Sequence, residues 1–230
     1  MMKILKTIVL AAIFLSLVNF TTFAQKSEER NVESFSKIKV SQAINCYLIE
    51  GTKEKVRVEV DGIDLDDVIT EVSGGRLQIH LDRGNFRNVH VKVYVTYTSL
   101  NGISVSSAAD VYSESVIKSE ELDLSASSAG SMELEVDVNE LSISVSSSGD
   151  VEIDGKANSL DAGASSAGEI DAYDLVCSKV RAEASSAGSI KVNATEEIRA
   201  DASSGGSIRY KGNPLKSNTD SSSGGSVRKF

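Results

Sequence analysis

The sequence predicts an all-β chain whose C-terminal half is a right-handed parallel β-helix, a β-solenoid with coils of about 19 residues and a β-rich N-terminal cap. Three observations predict it. A short motif returns at nearly constant spacing, apolar residues align in columns between its copies, and the composition favours strands over helices.

The motif is Ser-Ser-Ala-Gly or a close variant. It stands at Ser106-Ser107-Ala108-Ala109, Ser127-Ser128-Ala129-Gly130, Ser146-Ser147-Ser148-Gly149 and Ser165-Ser166-Ala167-Gly168. It returns at Ser185-Ser186-Ala187-Gly188, Ser203-Ser204-Gly205-Gly206 and Ser222-Ser223-Gly224-Gly225. The steps between first serines are 21, 19, 19, 20, 18 and 19 residues. A fixed period of this length marks a repeat architecture in which each unit buries its apolar face only by stacking on its neighbours.

Aligning the copies gives the columns. Five residues after the first serine stand Val111, Met132, Val151, Ile170, Ile190, Ile208 and Val227. Three before it stand Ile103, Leu124, Ile143, Ala162, Ala182, Ala200 and Thr219; one before it stand Val105, Ala126, Val145, Ala164, Ala184, Ala202 and Ser221. Polar residues fill the positions between, so one face of each short strand points in and the other out. The inward columns shrink toward the C-terminus, which predicts a narrower, locally less stable end.

The same parity predicts that the second serines (Ser107, Ser128, Ser147, Ser166, Ser186, Ser204, Ser223) point inward as a hydroxyl ladder bonded across coils. The glycines that close the motif, Gly130, Gly149, Gly168, Gly188, Gly206 and Gly225, are read as corner residues. They would serve either a positive φ or a close backbone approach.

The composition agrees. There are 17 glycines, one proline (Pro214) and no tryptophan. Residues 30 to 100 lack the short repeat but alternate as strands at Ser36 to Val40, Asn45 to Glu50, Lys55 to Val60, Arg76 to Leu81 and Val89 to Tyr97. Ser73-Gly74-Gly75 reads as a turn, and Asp64 to Thr70 as one short helical turn.

Residues 1–24 read as a Sec-type signal peptide. Lys3 and Lys6 supply the basic start, Ile8 to Val18 the apolar run, and Thr22 and Ala24 the small residues of a cleavage site before Gln25. The apolar run is shorter than the ~20 residues that a spanning helix needs, which disfavours an uncleaved anchor. The absence of a cysteine at the cleavage point disfavours a lipoprotein. Losing Lys3 and Lys6 takes the formal net charge from −9 to −11, which argues against nucleic acid as a partner. The expected organisation is 1–24 signal peptide, 25–34 short linker, 35–99 N-terminal coils or cap, and 100–230 seven-repeat β-helix. Residues 35–230 are expected to form one domain. Export would deliver the chain to the periplasm, the outer-membrane surface or the medium, with no transmembrane segment after cleavage.

The segment Ala43-Ile44-Asn45-Cys46-Tyr47-Leu48-Ile49-Glu50-Gly51 resembles the Gly-Ile-Asn-x-Tyr-Leu-x-x-Gly stretch of the head-GIN-domain family of putative autotransporter adhesins, a Bacteroidetes-type domain of unknown function. Val56 to Val60, Gly74-Gly75-Arg76-Leu77, the valine-rich strand at 89–95 and the serial Ser/Gly coils continue the resemblance over about residues 30 to 228. The glycine of the Gly-Ile-Asn tripeptide is Ala43 here. The resemblance implies a β-helical domain, export to the envelope and an adhesive role, and brings no catalytic residues.

No enzyme motif stands out. His80 and His90 alternate with apolar neighbours and point away from the apolar face, so they form a metal pair only if their strands are adjacent. The serines recur in every coil and no Gly-x-Ser-x-Gly elbow accompanies them, which marks a structural requirement. Four residues after the first serine runs a partly acidic column: Asp110, Ser131, Asp150, Glu169, Ser189, Ser207 and Ser226. Stacked carboxylates there could take Ca²⁺, but the calcium-binding nonapeptide is missing. A glycan-cleaving site would draw on Asp161, Arg181, Glu183, Arg199 and Asp201. Cys46 and Cys177 read as two buried thiols, although an exported protein permits a disulfide.

The expected function is therefore a non-enzymatic envelope binding or adhesion module, with no cofactor and no metal. Surface glycan or another envelope protein is the expected partner. The alternatives are a self-associating structural solenoid that stacks end to end and, third, a carbohydrate-active enzyme.

Overall fold

A computed structural model of the chain describes residues 26–84, 86 and 88–230. The signal-peptide reading of 1–24 therefore lies outside the described residues. Those residues form β1 (Lys26–Arg30), β2 (Lys37–Ser41), β3 (Asn45–Glu50), β4 (Lys55–Asp61), β5 (Val68–Ser73), β6 (Arg76–Leu81), β7 (His90–Tyr97), β8 (Gly102–Ser106) and β9 (Asp110–Ser113). They continue as β10 (Ile117–Ser127), β11 (Ser131–Val145), β12 (Asp150–Ala164), β13 (Glu169–Ala184), β14 (Ser189–Ala202), β15 (Ser207–Lys211), β16 (Lys216–Ser221) and β17 (Ser226–Lys229). A single 3-10 turn, Leu65–Asp67, is the helical turn expected between Asp64 and Thr70.

The coils stack as a β-solenoid with two parallel ladders that meet at the serine corners. One ladder runs β6, β2, β8, the C-terminal halves of β10 to β14, and β16. The other runs β7, β3, β9, the N-terminal parts of β11 to β14, then β15 and β17. Alternation drives this. In β11, Met132, Leu134, Val136 and Val138 are buried while Glu133, Glu135 and Asp137 are exposed. Two exposed residues in a row, Asn139 and Glu140, shift the phase before Leu141 turns inward again. The aligned apolar columns are all buried from Ile103 through Ile208, including the alanines of the later coils. At ~2 kcal/mol for each large side chain taken from water, this continuous column is what holds successive coils together.

The second serine does not point inward, and the hydroxyl ladder is corrected. Ser107, Ser128, Ser147, Ser166, Ser186, Ser204 and Ser223 are exposed, and their φ values are 57°, 52°, 52°, 50°, 49°, 48° and 49°. The next residue is left-handed too: Ala129 at 58°, Ala187 at 63°, Gly205 at 77°. Period-2 parity holds only along extended chain, so two left-handed residues in succession break it. A ladder does exist, but it is made of main chain. The amides of Ala129, Ser148, Ala167 and Ala187 donate to the carbonyls of Ser147, Ser166, Ser186 and Ser204 on the next coil, at 3.1–3.2 Å.

The closing glycines act by close approach. A Cβ on Gly188 or Gly206 would lie 2.4 Å from the Ala164 or Ala184 carbonyl oxygen of the coil before. In the first of these corners Ala109 fills the position, fully buried. One further corner precedes the repeat: Gln42 and Ala43 have φ of 67° and 53°, and Ala43 N–H donates to Ser107 O at 3.0 Å. The glycine of the family tripeptide thus corresponds to a left-handed corner position.

The cap is antiparallel. β2 and β3 make one coil; the chain then builds β4 to β7 on one side of it and returns as β8 and β9 on the other. β5 pairs antiparallel with β6, β4 with β7, and β1 with β4. Residues 26–30, expected within a linker, are therefore the outermost strand. Their sequence, Lys-Ser-Glu-Glu-Arg, has no apolar alternation because an edge strand over a closed cap buries none. Arg30 fastens it: its guanidinium donates to Leu65 O at 2.7 Å and to Thr70 Oγ1 at 3.2 Å, and also to Val68 O.

Candidate binding faces

The outer surface of the strands that lead into the corners is a serine face. Ser144, Gly163, Glu183, Asp201 and Asp220 are ladder partners on successive coils, preceded by Ser104 and Ser125. Asp161, Arg181 and Arg199 form the parallel column two residues earlier. The first serines of the motif, half-buried at Ser146, Ser165, Ser185 and Ser203, edge the same surface. These first serines, with Ser125, Ser144, Glu183, Arg199, Asp201 and Asp220, line an open groove of about 640 Å³. The five residues considered for a glycan-cleaving site are thus gathered on one face. Arg181 reaches Glu183 at 2.5 Å and Arg199 reaches Asp201 at 3.3 Å. Hydroxyls and carboxylates at one-rung spacing offer a repeating set of acceptors and donors along the axis.

The surface after the corners is a tyrosine face. Tyr94, Tyr47 and Tyr112 are ladder partners from β7, β3 and β9. Their rings stack with centroids 5.0 and 5.3 Å apart, and Arg57 lies 4.1 Å over the outer ring, Tyr94. The same column continues as Glu133, Glu152, Asp171, Lys191, Arg209 and Arg228. Beside Tyr112 a groove of about 330 Å³ is lined by Glu133, Glu135, Glu152 and Asp154. Desolvation, then Glu133, Asp154, Asp171 and Asp150, raise the Glu152 carboxyl above the usual carboxylate range. Lys191 bridges Glu169 at 3.0 Å and Asp171 at 2.8 Å, and hydrogen bonding to those carboxylates raises its ammonium pKa.

This stack was missed in the sequence. Its three tyrosines come from strands whose spatial order differs from their chain order. The available signal was that Tyr47, Tyr94 and Tyr112 each sit on the outward parity of their strand.

The partly acidic column forms as aligned, with Asp110, Ser131, Asp150 and Glu169 on consecutive rungs. Burial, then Glu169 and Asp171, raise the pKa of Asp150. Among the described residues no three His, Cys, Asp or Glu side chains are placed to hold a metal ion. His80 and His90 lie on different ladders, opposite Ile69 and Asp61. Cys46 and Cys177 are both buried and unpaired, and desolvation pushes the Cys177 thiol up to about 12.

The profile of the family described as "Putative auto-transporter adhesin, head GIN domain" matches residues 34–214. The chain belongs to this family. The head GIN domain described above is also similar to solved structures. A putative adhesin from Bacteroides fragilis is 25% identical, with a TM-score of 0.81 over 90% of this chain and 97% of that one. A putative adhesin from Parabacteroides merdae is 19% identical, with a TM-score of 0.71 over 90% and 96%. A putative lipid binding protein from Parabacteroides distasonis is 22% identical, with a TM-score of 0.66 over 90% and 96%. The search of curated proteins gives no match. Among the described residues no helix is long and apolar enough to cross a membrane.

Proposed function

We propose that this head GIN domain is an exported cell-envelope binding module that holds a hydroxyl-rich ligand, a surface glycan, along its serine face without turning it over. The observation that carries the reading is the open groove in which serine hydroxyls, Glu183, Asp201 and Asp220 repeat coil after coil. An extended polar polymer meets a motif serine on each coil of the groove (Ser146, Ser165, Ser185, Ser203, Ser222), with hydroxyls beside them at one end and carboxylates at the other, which gives many weak contacts in place of one deep pocket. The family's adhesin description and the basic-then-apolar start of the chain support export and surface display.

Binding rather than hydrolysis is supported by the state of the carboxylates. Glu183 and Asp201 are each engaged by the arginine two residues before them on an exposed strand. A glycosidase's general acid sits in an apolar setting, whereas these two carboxylates are committed to ion pairs on a solvent-facing surface.

The test is a glycan and envelope-component binding array probed with residues 25–230 and with a Glu183→Ala/Asp201→Ala variant. Retention of a glycan, weakened at least tenfold in the variant and with no new reducing ends, is the expected result. Retention of nothing, or equal retention by both proteins, overturns the reading, and release of reducing ends replaces it with an enzyme.

A further inference from the structure

The charges on the tyrosine face are sorted rather than mixed. Along one ladder column Glu133, Glu152 and Asp171 occupy three consecutive rungs, and Lys191, Arg209 and Arg228 the next three. Only the middle two neutralise each other, through the Asp171–Lys191 ion pair of 2.8 Å. Glu133, Glu152, Arg209 and Arg228 are exposed and make no ion pair among the described residues. Like charges directly opposite one another on a ladder are destabilising at a rung spacing of ~4.8 Å. On the serine face like charges also share a column, Glu183, Asp201 and Asp220, but Arg181 and Arg199 of the adjacent column pair with the first two, whereas the outer four charges of the tyrosine column have no ion-pair partner among the described residues.

The sorting has a symmetry. Turned end for end about a two-fold axis at the Asp171–Lys191 pair, the column maps acid onto base. We propose that a second copy of this chain packs on the tyrosine face with its solenoid axis antiparallel. Glu152 then meets the second copy's Arg209 and Glu133 meets its Arg228, and each contact occurs twice, as an isologous interface requires. The six rungs span about 24 Å along the axis, and the strands are about 17 Å wide, which covers roughly 400 Å² of each copy. That is about 800 Å² in total, below the ~1,000 Å² of a stable interface, so the pairing is a weak, reversible one that depends on the charges. It uses the face opposite in role to the serine groove and does not depend on what that groove binds.

Sedimentation velocity of the folded chain at about 100 µM tests it. Dimer is expected for the natural sequence. Arg209→Glu/Arg228→Glu and Glu133→Lys/Glu152→Lys are each expected to weaken it more than tenfold, since the 152–209 and 133–228 contacts then repel. An equimolar mixture of the two variants is expected to restore a heterodimer. A monomer for the natural sequence, a dimer that survives either reversal, open-ended oligomers, or a mixture that stays monomeric each overturn the proposal. A Glu152→Cys/Arg209→Cys variant gives a second readout if the reversals fold poorly. The two positions lie three rungs apart within one chain, about 14 Å, too far to bridge, so in this antiparallel register oxidation links position 152 of each copy to position 209 of the other, a pairing read by peptide mapping; links of 152 to 152 or 209 to 209 overturn the proposal. The natural Cys46 and Cys177 are buried and do not compete.

Discussion

Gly206 packs against the carbonyl of Ala184 on the preceding coil so closely that a Cβ would lie 2.4 Å from that oxygen. The contact is to main chain, which cannot swing away. Gly206→Ala is therefore expected to cost about 2–3 kcal/mol and to lower Tm by several degrees in thermal unfolding. The neighbouring Ser204, left-handed at φ 48° and exposed, should respond far less. Ser204→Gly relieves a left-handed residue, so a change of less than about 1 kcal/mol is expected, in either direction. A large loss on Ser204→Gly and none on Gly206→Ala would restore the inward-hydroxyl picture.

That pair shows where the sequence was readable and where it was not. The columns of Val111, Met132, Ile170 and Ile190 could be placed inside from spacing alone, because extended strands carry parity faithfully. The parity argument failed at the corners, where two left-handed residues intervene. It was silent at β1, whose five polar residues offer no pattern, and at the tyrosine stack, assembled from strands out of chain order. The serine-face charges were correctly grouped because they lie in the regular repeat, where one aligned column is one line on the surface.

The core column sets the stability gradient. Ile190 is fully buried between coils, and Ile190→Ala is expected to cost about 3 kcal/mol through lost transfer energy and a residual cavity. Val227, in the same column of the terminal coil, is half-buried, and Val227→Ala should cost less than about 1 kcal/mol. Its neighbours Ser217, Thr219 and Ser221 occupy inward positions yet are exposed. Amide hydrogen exchange should therefore be fastest in Lys216–Ser221 and slowest in β11 to β13. Uniform protection across the coils would contradict this.

The cap depends on Arg30. Its guanidinium ties β1 to the carbonyls of Leu65 and Val68 and to Thr70, on the 3-10 turn and β5. Arg30→Ala leaves these acceptors to water and is expected to destabilise by about 1–2 kcal/mol. Proteolysis should then begin within Lys26–Arg30, with the repeat coils still protected. Unchanged protease resistance at the N-terminal edge would show that the β4 ladder and the Lys26–Asp64 and Glu29–Lys55 ion pairs hold β1 without Arg30.

The acidic band gives a pH dependence whose sign is fixed by its raised carboxyls. Asp150 and Glu152 bind protons more tightly in the folded chain than in the unfolded one. The stability linked to those protons is present below the ordinary carboxylate pKa, ~4, and is lost as pH rises through the raised values. Neutralising one member should recover part of it at neutral pH. Measured at a concentration low enough to keep the chain monomeric, Glu152→Gln is expected to raise Tm by about 1–3 °C at pH 7 and to match the natural sequence near pH 3, where Glu152 itself is protonated. Exposure to solvent keeps the effect small, and salt should shrink it further. A variant less stable at pH 7 than the natural chain would mean that Glu152 accepts a contact worth more than its repulsion by Glu133 and Asp171.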